Sequence, residues 1–181
     1  MAEWLSENWF SLLSIVALIA GGAFAFIQWN KTLKVKRSEF IHQIIERLRF
    51  DEEMTATMYL ADYDEEVWYT RDFHGSGKPE FAMDKLLSYL SYICYLIETR
   101  HITKKESSIL EYELRRACES SQVQDYLFNL YHFSQAIKST CSFQYLIDYG
   151  LKEGIIDKSD FMNKASGINN DGEPYSHNLS F

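Results

Sequence analysis

The sequence predicts an all-α protein: an N-terminal transmembrane helix followed by a cytoplasmic helical bundle of four to six helices. Three observations predict it. Residues 10–27 read FSLLSIVALIAGGAFAFI, a run of 18 without a charge. Beyond residue 38, apolar side chains recur every three or four positions instead of alternating, which is the helical period. Only two prolines occur, Pro79 and Pro174, so few positions break a helix.

The first element is the membrane helix. About 20 residues at 1.5 Å rise cross a hydrocarbon core of about 30 Å, and residues 9–29 supply that length. Trp4, Trp9 and Trp29 stand near the two ends, where indole rings prefer the interface. A cleaved signal peptide needs a positive leader. Here Glu3 and Glu7 lead, and Ala23-Phe24-Ala25 is a weak cleavage motif followed by the basic run Lys31, Lys34, Lys36 and Arg37. The helix is therefore expected to be kept. Residues 1–8 form a short extracytoplasmic tail, and 30–37 a basic juxtamembrane segment. Because basic residues stay inside, the C-terminal domain is cytoplasmic and the N-terminus outside. Ala17, Gly21 and Ala25 recur at every fourth position on one helix face. Such a small-residue face lets two membrane helices approach closely, so a homo-oligomer is expected.

The second region is the domain 38–156. Ile41, Ile44, Ile45 and Leu48 extend the helical period past the basic run, with no Gly or Pro between. Asp51 is placed to cap a short helix through Met54 and Met58. Leu86 to Ile97 is apolar but interrupted by serines and tyrosines and flanked by Lys85 and Glu98. It is too short for a span and suits a buried core helix opened by Pro79. Thr103-x-x-Glu106 is a capping box opening a helix through Ile109, Leu114 and Cys118, and Ser121-x-x-Gln124 repeats the signal for a helix through Leu127 and Ile137. Ser142 is expected to cap a last helix, 143–149, stopped by Gly150. Residues 157–181, rich in Asn, Gly and Ser, read as a mobile polar tail.

Charge and cysteine usage exclude several functions. Beyond Arg37 there are 14 basic and 24 acidic residues. A body so acidic is a poor general nucleic-acid binder, because phosphate contacts need concentrated Lys and Arg. Cys94, Cys118 and Cys141 are odd in number, form no C-x-x-C pair and lie among apolar neighbours, as reduced core cysteines do.

No catalytic residue, metal or cofactor is assigned. Asp62, Asp64 and Glu66 alternate like the start of a calcium loop, but Val67 and Phe73 stand where an EF-hand requires Gly and Glu. His42 and Glu46 are one turn apart without a third ligand. His74-Gly75-Ser76-Gly77-Lys78 lacks the Walker spacing, yet two glycines and a lysine before a helix suit an anion. His74, Lys78, Arg115 and Arg116 are therefore the candidate ligand-binding residues. Eight tyrosines between Tyr89 and Tyr149 are expected mostly as core, with hydroxyls reaching backbone or solvent; the alternative is an aromatic surface for a base or a partner helix.

The phrases IQW-x-K, K-R-x-E-F-I, YLADYDEEVWY, FHGSG, DKLLSYLSYICYL, VQDYLFNLYHFS and FQYLIDYG, over residues 10 to 155, resemble a group of bacterial single-pass membrane proteins of a domain-of-unknown-function class. The resemblance implies a bacterial inner-membrane location and a helical cytoplasmic domain. The expected function is a non-enzymatic, membrane-anchored binding or signalling module. Its partners are the lipid bilayer, a second copy of itself, and a cytoplasmic protein or small anionic ligand. The alternative is a membrane effector of antiviral defence whose cytoplasmic domain senses a nucleotide second messenger.

Overall fold

The computed structural model describes residues 2–62, 67–70, 73–74 and 77–163. Among them there is no strand. The helices are α1 Ala2–Phe50, α2 Glu52–Asp62, α3 Lys78–Glu98, α4 Lys104–Ser107, α5 Glu111–Glu119, α6 Ser121–Ala136, α7 Gln144–Lys152 and α8 Lys158–Met162. The chain divides into two compact units, Met1–Ile44 and Ile45–Phe181.

The first unit is helix throughout its described residues. The one helix of the described chain that is long and apolar enough to cross a membrane lies here. Residues 13–36 are all exposed, Leu18 to 78% and Phe26 to 67%. Trp9 and Trp29 are exposed as well, whereas the side chain of Trp4 lies outside the described ones. Two hydroxyls of this stretch turn back on the helix. Ser14 Oγ donates to the Phe10 carbonyl at 2.8 Å, and Thr32 Oγ1 to the Gln28 carbonyl at 3.0 Å. Each hydroxyl thereby places its one proton on a carbonyl of its own helix.

The second unit is built on α3. Met83, Leu86, Leu87, Leu90 and Ile93 have no exposed surface, so the apolar run 86–97 is a core helix. α3 packs on α2 and α7, and α5 packs on α2, α6 and α7. The caps follow local chemistry. Asp51 Oδ1 accepts from the Met54 amide at 3.0 Å, Pro79 occupies the first turn of α3, and Thr103 and Glu106 complete their capping box. Burial holds the thiols protonated. Cys94 is pushed far up, and Cys118 up to about 12.

Five local expectations change. Ser142 does not cap α7, whose N-cap is Phe143 with no side-chain cap bond. The helix opened by Thr103 is broken at 108–110. Ser107 and Ser108 hydroxyls donate back to the Lys104 and Lys105 carbonyls, and the amides of Ile109 and Leu110 tighten onto carbonyls three residues back. The cap of α6 is Ser120, whose hydroxyl accepts from the Val123 amide. Gln124 instead donates to the Cys118 carbonyl at 2.7 Å. Gly150 does not stop α7. It lies inside the helix, where a Cβ would sit 2.5 Å from Ile156 Cδ1, and the turn comes at Gly154 with φ +67°. Residues 157–163, expected as tail, hold α8, capped by Asp157 and fixed by Phe161, which is buried against Phe128. Residues 164–181 of that tail lie outside the described residues, as do Asp64, Glu66, Gly75 and Ser76.

Candidate functional site

Two grooves in the second unit bring charged and aromatic side chains together. The larger, about 730 Å³, lies between the end of α3, α4, the start of α5 and the end of α7. Arg100, Lys104 and Lys152 line it with Thr103, Ser107 and Tyr149, while Glu111 and Glu153 temper the charge. Arg100 ends α3 in the left-handed region, φ +62°. Burial raises the Tyr149 hydroxyl to about 12, so it stays a donor.

The smaller groove, about 320 Å³, lies between the last turn of α1, α2 and α5. Its floor is Glu113, only 7% exposed. Glu113 Oε1 accepts from Arg49 Nε at 2.7 Å, whereas Oε2 is buried with no hydrogen-bond partner. Arg116 lies beside it, with its guanidinium carbon 4.6 Å from the Tyr59 ring centre and its Nε 2.7 Å from Asp62 Oδ2. Tyr112 forms an exposed wall.

A third polar cluster is largely buried. Asn129 Nδ2 donates to the Tyr69 hydroxyl at 2.9 Å, that hydroxyl is 3.0 Å from His74 Nε2, and His74 Nδ1 is 3.1 Å from Glu80. The Trp68 and Tyr69 amides both donate to Gln122 Oε1, at 2.7 and 2.9 Å. Tyr126 stacks on His74 and donates to Asp84 Oδ1 at 2.5 Å. Burial raises the Asp84 carboxyl, against the opposing hydrogen bond from Tyr126. The cluster fastens residues 67–70 and 73–74 to α3 and α6.

The residues expected to bind a ligand do not converge. His74 belongs to the third cluster. Lys78 is exposed at the start of α3, and Arg115 pairs along its own helix with Glu119 at 2.9 Å. Only Arg116 lines either groove. His42 and Glu46 are exposed, and among the described residues no three His, Cys, Asp or Glu are grouped to hold a metal. Of the eight tyrosines only Tyr126 is buried, and its hydroxyl reaches a carboxylate instead of backbone or solvent; Tyr92, Tyr112 and Tyr145 are exposed.

Sequence reasoning missed Arg49, Tyr59 and Glu113. A signal for Glu113 existed. Leu110, Leu114, Ala117 and Cys118 form the buried stripe of α5, and Glu113 falls on that stripe as its one charge. Its partner Arg49, 64 residues away, carries no such mark. Ala17, Gly21 and Ala25 are exposed along α1, and a Cβ on Gly21 would meet nothing within 4 Å. The chain matches no family model, no curated protein and no solved structure.

Proposed function

We propose that the protein is a single-pass membrane-anchored binding or signalling module without enzymatic activity, self-associating through Ala17, Gly21 and Ala25. The observation that carries this reading is the exposure of residues 13–27 in the uncharged stretch of α1, in a chain whose other long apolar helix is buried. Water does not tolerate so long an apolar surface, and lipid or a second copy does. The basic run Lys31 to Arg37 supports a cytoplasmic body, and the resemblance noted in the sequence supports a bacterial inner membrane. Alkaline carbonate extraction tests the anchor: the full chain is expected in the membrane pellet. Reporter fusions test direction, with a C-terminal reporter active only in the cytoplasm. Release by carbonate, or the opposite reporter pattern, overturns the respective part. Crosslinked dimers that persist unchanged in Gly21→Leu overturn the association face.

A second reading is a membrane effector whose body senses a nucleotide signal, as in antiviral defence. The two grooves favour it, since both carry arginines beside tyrosines, as nucleotides are commonly held. Titration of the full chain with cyclic oligonucleotides tests it, and absence of heat counts against it.

A further inference from the structure

Arg100 occupies a backbone position suited to glycine. It follows the last turn of α3 with φ +62°, where an L side chain crowds its own backbone and glycine does not. It also has no partner within the chain. Among the described arginines beyond residue 45, Arg49, Arg115 and Arg116 pair with carboxylates and Arg47 lies over the Tyr89 ring, whereas Arg100 holds neither. Its side chain instead lines the 730 Å³ groove beside Lys104 and Lys152. Both lysines are exposed and, among the described residues, likewise make no ion pair. Three cations thus share one concavity, in a chain that beyond Arg37 has 14 basic and 24 acidic residues. An unfavourable backbone kept without an internal contact points to a contact made outside the chain.

We propose that this groove binds a small phosphorylated polyol, its phosphate on Arg100, Lys104 and Lys152 and its hydroxyls donating to Glu111 and Glu153. Guanidinium and ammonium groups meet phosphate through charge-assisted hydrogen bonds, the strong kind. Glu111 and Glu153 line the same groove, both exposed and neither in an ion pair among the described residues. A bare anion is repelled by them, whereas a hydroxyl donates to them. The Tyr149 hydroxyl, which burial keeps protonated, makes no hydrogen bond among the described residues and is a further donor on this wall. Ile97 adds apolar surface for the carbon skeleton. The volume falls within the range of small-molecule sites, about 300–1,000 Å³. Free sugar phosphates carry this chemistry, and so does the phosphate and glycerol of a phosphatidylglycerol headgroup. The proposal rests on the first reading above, a binding module, and names its ligand class.

The test is isothermal titration of the full-length protein, in micelles of a neutral polyether detergent, with glucose 6-phosphate, inorganic phosphate and glucose. Glucose 6-phosphate is expected to bind in the millimolar range or tighter, inorganic phosphate about tenfold more weakly, and glucose more weakly still. Arg100→Gly is the telling variant. It removes the charge and relieves the backbone, so it is expected to melt at or above wild type while binding about tenfold more weakly, the loss of one charged hydrogen bond. Lys104→Gln and Lys152→Gln, at exposed positions, are each expected to weaken binding as well, and they carry the test if Arg100→Gly melts below wild type. For the lipid source, melting is followed in nanodiscs of phosphatidylcholine with and without phosphatidylglycerol. A rise with phosphatidylglycerol that Arg100→Gly abolishes assigns the ligand to the membrane, and binding of glucose 6-phosphate without that rise assigns it to the surrounding water. Neither binding nor a rise overturns the proposal, and so does wild-type affinity in all three variants. Inorganic phosphate binding as tightly as glucose 6-phosphate overturns the polyol but leaves anion binding by the body standing, which separates the two failures.

Discussion

Gly21 and Gly150 both lie inside helices, and their surroundings are opposite. Nothing lies within 4 Å of where a Cβ on Gly21 would sit, whereas at Gly150 the side chain of Ile156 already occupies that place and Cys118 Sγ is 3.5 Å away. The same contrast runs through the two units. Over residues 13–36 of α1 the apolar residues face outward, and the Ser14 and Thr32 hydroxyls are tied to their own helix. In the body the apolar residues face inward, and distant polar groups meet through pairs such as Gln122 with the Trp68 and Tyr69 amides. One chain thus holds two opposite arrangements of apolar surface. The first unit turns its apolar surface outward, and the second encloses its own.

The sharpest way to break the comparison is to truncate one leucine in each unit. Leu87→Ala is expected to destabilise the body by about 2–5 kcal/mol, the usual range for a fully buried leucine. Leu18→Ala, at 78% exposure, is expected to leave body unfolding unchanged. Denaturant melts of the full chain in micelles, followed by tyrosine and tryptophan fluorescence, check both, and equal effects would erase the distinction.

Next comes Gln122→Ala. It strips two backbone amides, Trp68 and Tyr69, of their common acceptor and is expected to cost about 2–3 kcal/mol. Faster hydrogen exchange at those two amides, beyond the global change, is the specific readout. The glycines follow. Gly150→Ala overpacks against Ile156 and is expected to cost about 1–3 kcal/mol, with Ile156→Ala in the same chain relieving the clash. Gly21→Ala is expected to leave body stability untouched. A melt of the Gly150 variant that matches wild type would mean that Ile156 yields freely.

The smallest effect expected is that of Asp84→Asn. Burial raises the Asp84 carboxyl above its usual value of 3.8, so the folded state holds the proton more tightly than the unfolded chain. That contribution is full below 3.8 and is lost as pH rises through the raised folded value. The asparagine oxygen still accepts from Tyr126, so at pH 7 the change is expected to stay within about 1 kcal/mol of wild type. Its mark is a flatter dependence of melting temperature on pH above 3.8. Asp51 and Asp157 run the other way. Backbone amides hold the Asp51 carboxyl low, and Ser159 and the backbone hold Asp157 low, so their support is lost as pH falls below 3.8. A wild-type pH profile in Asp84→Asn would remove the buried carboxyl from the account.

What the sequence determined by itself is what depends on nearest neighbours and on composition. The all-helical class, the uncharged stretch 10–27, the caps at Asp51 and Thr103 and the core helix around Leu86 to Ile97 follow from local periodicity and from hydrogen bonds that span three residues. What only the tertiary structure decided depends on partners far along the chain. Gly150 signals a helix end until Ile156 folds against it. His74 suits an anion until Tyr69, Glu80 and Tyr126 enclose it. Arg115 and Arg116 are adjacent and chemically identical in sequence. One pairs with Glu119 on its own helix and the other reaches Asp62 and Tyr59 on α2, because 100° of helix rotation separates neighbours. The groove of Arg49, Glu113 and Arg116 exists only where three segments meet, so periodicity marks one of its members and packing supplies the rest.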